Sequence, residues 1–438
     1  MRRVCLTLPT NRPCAATIAA IGEEAAYAAE HFGVEVRLLI LDSCDAAAYA
    51  ENAEAVRGLP RTARTVVHHL DEARQRSFLQ RVIGHAGTVK PDLFLDLMLP
   101  DRLSYGACTN RAFLIAVALG CESVHRRDSD SRYQTVNGET VFPIHHELLS
   151  LGKPATEAAR AVSETALAAE HMGKRVAMVG SSFVGELSVD IGEIHALDPD
   201  IYHEVVGLWA PQHWSDARKR ELVDESFRGA GTTAFTRDHS TLTLVDPMRV
   251  DMCNIAFHGV HEHVPLPPAT DTIGSDYFLI HLVHDAALPG VLHNRDIVNY
   301  YTGERRTGPG FMAYQLRFVK FLLSMRYFNV IYDEMAQAGA ALLDGNGQVS
   351  AGAVARLARR SARLDAAENV RRLDRLDAAY RKLGGRYATF ADLVAARRDR
   401  LLDEARRDIE DFALLAEAWP ALVRAAGTTP VPPSPERR

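Results

Sequence analysis

The sequence has no long hydrophobic run and few cysteines. Its longest apolar stretch, Ala112 to Cys121, has about half the length that a bilayer-spanning helix needs, so we expect no integral membrane association. The six cysteines form no CxxC pair and show no zinc-like spacing. This predicts reduced thiols and a cytoplasmic protein.

Three common functional signatures are also missing. The chain contains no G-x-x-x-x-G-K-[ST], no G-x-G-x-x-G after its first strand and no G-x-S-x-G. These absences disfavour a phosphate-loop ATPase, a dinucleotide-binding enzyme and an α/β-hydrolase. The net charge of −6 argues against a nucleic-acid partner.

What is present is the composition of a globular protein, with 438 residues, 47% hydrophobic and 24% charged. Strand-like Val4–Leu8, Val34–Leu41 and Thr65–Leu70 alternate with helical segments, which predicts an α/β sheet with parallel strands and helices on both faces. From Phe311 onward long helical patterns take over. We therefore predict an α/β domain over 1–310, an α-helical C-terminal domain over 311–427 and a disordered, proline-rich tail over 428–438.

Two local signals within the first domain concern secondary structure. Asn137-Gly138 is a hairpin signal between two short strand-like segments. The Ala-rich segment Pro154–His171, with Gly173 behind it, predicts a helix.

Carboxylates follow predicted strands at two places. Asp42 and Asp45 end the second strand, and Asp128-Ser129-Asp130 follows the segment Cys121–Arg127. Ligands of open α/β sheets bind at the carboxyl ends of strands, and two carboxylates one residue apart can share a hard divalent cation. The alternative interpretation of the D-x-D is a solvated acidic loop.

Taken together, several segments resemble GT-A glycosyltransferases, the nucleotide-diphospho-sugar transferases, and in particular their family 2-type members. The resemblance covers about residues 1–310 and implies that they form a nucleotide-sugar-binding catalytic domain. It rests on Leu8–Pro13, Leu41–Asp45, Asn110–Ala112, Asp128–Asp130, Cys253–Phe257 and Gly274–Asp276, which occur in the family's order.

The resemblance implies a role for each segment. The donor would contact the first-strand loop, the second-strand carboxylates, a helix start and the D-x-D serine, namely Pro9, Thr10, Asn11, Arg12, Asp42, Asp45, Asn110, Arg111 and Ser129. Asp128 and Asp130 would bind Mn²⁺ or Mg²⁺, and Asp276 would be the catalytic base. Asn254, Phe257 and His258 would lie beside the acceptor.

The chain departs from the family pattern in several places. Ser275 replaces an acidic residue, and Met252-Cys253 stands where paired glycines are usual. His125-Arg126-Arg127 occupies a strand that is normally apolar. The Gln-x-x-Arg-Trp motif of processive synthases is missing, which disfavours a polymerising enzyme.

Two further candidates come from histidines and arginines. His293 is our choice for a third metal ligand, whereas the cluster His258, His261 and His263 is interpreted as surface or acceptor-pocket imidazoles. Arg305 or Arg306, in the segment Asn299–Gly310, could pair with diphosphate oxygens. The alternative for that segment is a solvated hinge.

The sequence therefore predicts a metal-dependent glycosyltransferase that moves a sugar from a nucleotide-diphosphate sugar to a small soluble acceptor, with inversion. One alternative is a nucleotidyltransferase acting on a sugar phosphate, although the first-strand loop lacks that class's glycines. The other is a non-catalytic, glycosyltransferase-like binding protein, which the Ser275 departure keeps open. The sequence does not specify the oligomeric state.

Overall fold

The structure is a computed structural model that describes residues 1–60, 62–189, 191–300 and 307–433. It has a mixed α/β architecture. The strands are β1 (Arg3–Thr10), β2 (Glu35–Asp42), β3 (Thr65–Leu70), β4 (Ser123–Arg127), β5 (Ser131–Tyr133), β6 (Thr135–Val136), β7 (Glu139–Thr140), β8 (Glu164–Thr165), β9 (Met178–Gly180), β10 (Phe183–Gly185), β11 (Ser240–Thr243), β12 (Asn254–His258), β13 (Gly290–His293) and β14 (Ile297–Asn299).

The helices cover both faces of the main sheet and dominate the C-terminal third. They are α1 (Ala15–Phe32), α2 (Ala46–Arg57), α3 (Glu72–Ala86), α4 (Pro91–Met98), α5 (Tyr105–Ala118), α6 (Ile144–Ser150), α7 (Ala155–Ala158), α8 (Gly192–Leu197), α9 (Pro199–Val206), α10 (Asp216–Glu225), α11 (Val260–His263), α12 (Phe278–Asp285), α13 (Gly308–Ala338), α14 (Ala351–Ser361), α15 (Ala367–Leu383), α16 (Gly385–Ala396) and α17 (Arg398–Ala426).

Among the described residues, nine strands form the main sheet in the order β3-β2-β1-β4-β12-β9-β13-β11-β8. The strands β3, β2, β1 and β4 are parallel to one another, and β12 runs antiparallel to β4. The chain moves outward from β1 to β3 and then returns to the other side of β1 with β4. This reversal creates a crevice at the carboxyl ends of β1 and β4, where open α/β sheets bind ligands.

Alternation along the central strands explains why both sheet faces are covered. In β2, Leu38 and Ile40 pack into the core beside α1, whereas Leu39 and Leu41 pack into the larger core that includes α3 and α5. Successive side chains of a strand point to opposite faces, so each face of this apolar strand needs its own layer of helices.

The C-terminal helices belong to the larger of these cores. Phe412 of α17 meets Phe278 of α12 edge to face at 4.8 Å, and the Trp419 indole nitrogen donates to the carbonyl oxygen of His261 at 3.0 Å. The predicted domain boundary at residue 310 stays a prediction. Of the predicted tail, 428–433 are described and include buried Thr429, whereas 434–438 lie outside the described residues.

Most of the predicted elements are observed with shifted ends, and one is wrong. The Asn137-Gly138 hairpin joins β6 and β7, with positive φ angles of 54° and 83°. The helix predicted over Pro154–His171 is helical only at α7 and in a 3₁₀ turn at Ala169–His171. Between them the chain extends as β8 beside β11, and its backbone pairing there outweighs the helix propensity of the alanines.

Of the helices in the described part of the chain, none combines the length and apolar character needed to cross a bilayer. The predicted cytoplasmic location stays a prediction.

Candidate functional site

A cavity of about 430 Å³ lies at the carboxyl ends of β1, β2 and β4. The loop after β1 and the loop after β4 form one side of it, and α13 forms part of the opposite side. Its polar lining includes Asn11, Arg12, Arg111, Arg126, Asp128, Ser129, Asp130, Asp251 and Asp276. The cavity therefore occupies the crevice that the strand order creates.

Arg126, the penultimate residue of β4, connects two carboxylates at the base of this cavity. Its Nη1 atom donates to Asp276 Oδ2 at 2.9 Å and to the Met252 carbonyl at 3.0 Å, and its Nη2 atom lies 3.0 Å from Asp128 Oδ1. Burial lowers the pKa of Arg126, but the attraction of Asp128 and Asp276 outweighs this and raises it overall. The guanidinium is thus a permanent positive charge between the two aspartates.

The environment of Asp128 and Asp276 favours the protonated forms of both carboxyl groups. Burial raises the pKa of Asp128 to about 7, although the attraction of Arg126 opposes this shift. Repulsion from Asp130 and Asp276 adds to it. Burial, together with repulsion from Asp251, also raises the pKa of Asp276. Carboxyl groups with raised pKa values in a cleft are candidates for proton transfer.

Asp251 supports this arrangement from the loop before β12. One of its oxygens accepts from the backbone of Cys253 at 2.9 Å, and the other accepts from the Tyr277 hydroxyl. Burial and the neighbouring Asp251 charge raise the pKa of Tyr277 well above its usual value. Tyr277 therefore stays a hydrogen-bond donor, which fixes the orientation of Asp251.

Arg12, after β1, pairs with the second carboxylate of the D-x-D at 3.4 Å, from Nη1 to Asp130 Oδ2. Asp128, Asp130, Asp251 and Asp276 then face two guanidiniums, those of Arg12 and Arg126. When every group is ionised, this cluster has a formal excess of two negative charges. A divalent cation bound there would offset this excess and would favour an anion beside it.

The D-x-D fits a divalent cation by the chemistry of its donors. Carboxylate oxygens are hard ligands, and Mg²⁺ is ordinarily bound through one or two carboxylates together with phosphate oxygens of a substrate. No set of three or more His, Cys, Asp or Glu side chains that could hold a metal occurs in the ranges the structure describes. A cation there would need ligands from a bound molecule as well as from the protein.

The cavity brings together many of the residues predicted from sequence. It is lined by the predicted catalytic base Asp276, two of the three predicted metal ligands and part of the predicted donor site, namely Pro9, Thr10, Asn11, Arg12, Arg111, Asp128, Ser129 and Asp130. Arg111 is held in place by Gln75 Oε1 at 2.8 Å and by the Met98 carbonyl at 2.7 Å.

Three other predicted donor residues have partners within the protein. Asp42 accepts from Asn52 Nδ2 at 2.9 Å and lies 2.9 Å from His69 Nε2. Burial alone would raise the pKa of Asp42, but the hydrogen bonds to its carboxylate outweigh burial and lower the pKa. Asp45 caps α2, and the Asn110 amide clamps both backbone groups of Leu266. None of these three side chains lines the cavity.

The predicted acceptor residues are spread along β12. Asn254 pairs in register with Arg127 at the D-x-D end of β4, whereas His258 pairs with Ser123 at the opposite end. Asn254 Nδ2 donates to the Ser182 and Arg295 carbonyls, and Phe257 is buried in the core. The structure therefore does not bring His258 to the D-x-D.

His293 is placed away from the cavity lining. It is buried and stacks on His146, with ring centroids 5.3 Å apart. Burial lowers the pKa of His293 well below its usual value. Arg305 and Arg306, the predicted diphosphate contacts, lie outside the described residues.

Sequence reasoning missed Arg126 and Asp251 as members of the site. The His125-Arg126-Arg127 run was recognised only as a departure from an apolar strand. Its signal was available, because charged residues are almost never fully buried without partners. One partner of Arg126, Asp128, is two residues away, but Asp276 lies 150 residues away in the sequence.

Comparisons with known proteins give a family but no activity. A family model described as "Family of unknown function (DUF6271)" matches residues 2–435. No curated protein matches the sequence. Among solved structures, the chain is similar to the mannosyltransferase PcManGT from Pyrobaculum calidifontis in complex with GDP-Man and Mn²⁺, at 11% identity and a TM-score of 0.35, over 96% of this chain and 86% of that chain. A TM-score this low carries no inference from that protein to this one.

Proposed function

The chain belongs to the DUF6271 family, whose function is unknown, and from the residues of its cavity we propose that it transfers a glycosyl group from a nucleotide-diphosphate sugar to an acceptor hydroxyl. One observation carries the proposal. The D-x-D and Asp276, which the sequence singled out separately, lie about 150 residues apart and both contact Arg126. Both elements of the proposed chemistry are therefore within reach of one bound substrate.

The donor would lie in the crevice at the ends of β1 and β4. Asn11 and Arg12 line this region, and the fold we propose for the domain is GT-A. Mn²⁺ or Mg²⁺, when bound with the diphosphate, would supply Lewis-acid charge neutralisation of the leaving group. Asp128 and Asp130 are the residues that would hold it.

Asp276 would act as the general base. Its carboxylate takes the proton of the acceptor hydroxyl while the acceptor oxygen bonds to the anomeric carbon of the sugar. The bond from that carbon to the diphosphate breaks with its electron pair remaining on the phosphate oxygen. Direct attack inverts the anomeric centre, and the Arg126 hydrogen bond orients the carboxylate for this step.

The activity is tested with a panel of uridine- and guanosine-diphosphate sugars, with Mn²⁺ present and absent, by measuring release of the nucleoside diphosphate. We expect at least one donor to be turned over by the wild type. For Asp45→Asn we expect the turnover of wild type, because Asp45 caps α2 outside the cavity and asparagine caps equally well. Release of pyrophosphate from nucleoside triphosphates would instead indicate a nucleotidyltransferase, and donor binding without turnover a binding protein.

A further inference from the structure

The cavity has an aromatic half as well as a polar half. Trp209, Phe227 and Phe321, here called the aromatic triad, all line it. The Trp209 ring lies 6.0 Å from Phe227 and 5.7 Å from Phe321, and those two phenyl rings are 6.1 Å apart. Three rings that contact one another on a cavity wall form a surface suited to a flat apolar group.

Phe227 holds its position at a conformational cost. Its φ angle is 65°, a left-handed value that is an outlier for a bulky side chain. The Phe227 carbonyl accepts from the backbone of Ser188 at 3.0 Å, which ties this turn to the sheet side of the cavity. Such conformations concentrate at ligand sites, where the strain is offset by the surrounding structure.

Trp209 brings a hydrogen-bond donor that the protein does not use. Its indole nitrogen is buried and has no hydrogen-bond partner among the described residues. Its backbone is anchored, because Asn329 Nδ2 donates to the Trp209 carbonyl at 3.0 Å. Buried indole N–H groups ordinarily find an acceptor. A ligand oxygen beside the triad would supply one once the indole ring turns to bring Nε1 into the cavity.

The triad adjoins the proposed catalytic base. Phe321 packs so closely on Gly274 that a Cβ atom there would lie 3.0 Å from two of its ring carbons. Gly274 precedes Asp276 by two residues. Farther along the wall, His281 stacks on Tyr332 at 3.8 Å, and burial lowers the pKa of His281 to about 3, so its imidazole is uncharged at neutral pH.

Building on the proposed function, we propose that the aromatic triad is the acceptor subsite and that the acceptor is a small hydroxylated aromatic compound. Its ring system packs on the triad, an oxygen accepts from Trp209 Nε1, and its hydroxyl reaches Asp276. A sugar acceptor would leave most of its hydroxyls facing carbon, and an alkyl alcohol would offer no oxygen to the indole.

The test uses two probes of similar size in isothermal titration calorimetry. 4-Methylumbelliferone has a hydroxyl at one end and a carbonyl acceptor at the other, whereas 2-naphthol has the hydroxyl alone. We expect wild type to bind 4-methylumbelliferone more tightly. Trp209→Phe should reduce that affinity about five- to tenfold and leave 2-naphthol within twofold, because one hydrogen bond is lost and the ring is kept.

Phe227→Ala should weaken the binding of both probes. Trp214→Phe is the matched control for Trp209→Phe. The Trp214 ring is outside the cavity lining and is covered by Arg218, whose guanidinium carbon lies 3.5 Å from the ring centroid. Equal affinity of wild type and Trp209→Phe for 4-methylumbelliferone would overturn the assignment. Binding of maltose or 1-decanol in preference to both probes would also overturn it.

A separate titration of the wild type with UDP and GDP in the presence of Mn²⁺ distinguishes this inference from the proposed function. Trp209-dependent binding of 4-methylumbelliferone without nucleotide binding would overturn glycosyl transfer and leave the aromatic subsite supported. If a nucleotide binds and neither aromatic probe does, the aromatic subsite would be overturned and the proposed function would stand.

Discussion

Arg126 and Arg127 are adjacent on β4 and both are almost completely buried, yet they lie in two very different charge clusters. Arg126 points into the cavity, where it contacts Asp128 and Asp276, and its Nε atom has no partner among the residues that the structure describes. Arg127 points to the opposite sheet face and donates through all three of its nitrogens, to Glu24, Glu147 and the Arg126 carbonyl, at 2.7–3.1 Å.

The carboxylates of the two clusters respond in opposite directions. Burial opposes ionisation of Glu147, but Arg127 and His125 outweigh it and lower the pKa of Glu147 to about 2. Around Arg126, burial prevails and the pKa values of Asp128 and Asp276 are raised. Burial of an arginine therefore does not identify its role. Arg127, Glu24 and Glu147, here called the closed cluster, are joined by ion pairs. Arg126, Asp128 and Asp276, here called the open cluster, face the cavity and can still bind a ligand.

The largest expected effect is on the open cluster. Asp276→Asn keeps the shape of the side chain but removes the proton acceptor, so turnover of the donor found in the nucleotide-sugar panel should fall by about 10² to 10⁴. Nucleotide affinity, measured by calorimetry, should stay within about threefold. Undiminished turnover would mean that Asp276 is only a structural partner of Arg126.

The closed cluster should show its largest effect in stability. Arg127→Met leaves Glu24 and Glu147 buried without their cation, and we expect a loss of about 3 to 5 kcal/mol in the free energy of unfolding in urea. Arg126→Met should cost less, about 1 to 3 kcal/mol, because its partner aspartates face the cavity and can take up protons. Equal losses would remove the distinction between the clusters.

Cation affinity should depend on pH through Asp128. A proton on this carboxyl competes with the metal, and its pKa is about 7. The affinity for Mn²⁺ with nucleoside diphosphate should therefore rise about tenfold between pH 6 and pH 8, as one competing proton is lost. Asp128→Asn should bind more weakly with a flatter profile. A profile equally steep in that variant would assign the proton to another group.

The smallest expected effect is on the pH dependence of stability. Asp128 has a higher pKa folded than unfolded, so its contribution to stability is lost as pH rises from about 4 to about 7. Glu147 has a lower pKa folded, so its contribution is lost as pH falls below about 4. Relative to wild type, Asp128→Asn should gain about 1 kcal/mol between pH 4 and pH 7 in urea unfolding, an amount limited by the partial exposure of the side chain. No relative gain would contradict the raised pKa.

The sequence predicted the first three strands best. The strand predicted at Thr65–Leu70 is observed with those bounds, and the first two strands differ from β1 and β2 by one or two residues at either end. Propensity was misleading at Pro154–His171, where pairing with a distant strand decided the conformation. Helix propensity describes a segment in isolation and takes no account of pairing with a distant strand.

For the site, the residue types are visible in the sequence: the D-x-D, Asp276 and a run of charges before the D-x-D. Which of them share a cavity depends on how the chain folds. Register on β4 directs Arg126 and Arg127 to opposite faces, and the return of the chain about 150 residues later brings Asp276 to the former. Asp42 is the last residue of β2 and the D-x-D follows β4, yet the Asp42 carboxylate is bonded to Asn52 and His69. The physical reason is that a side chain's environment in the folded protein is set by long-range packing, which local sequence patterns do not encode.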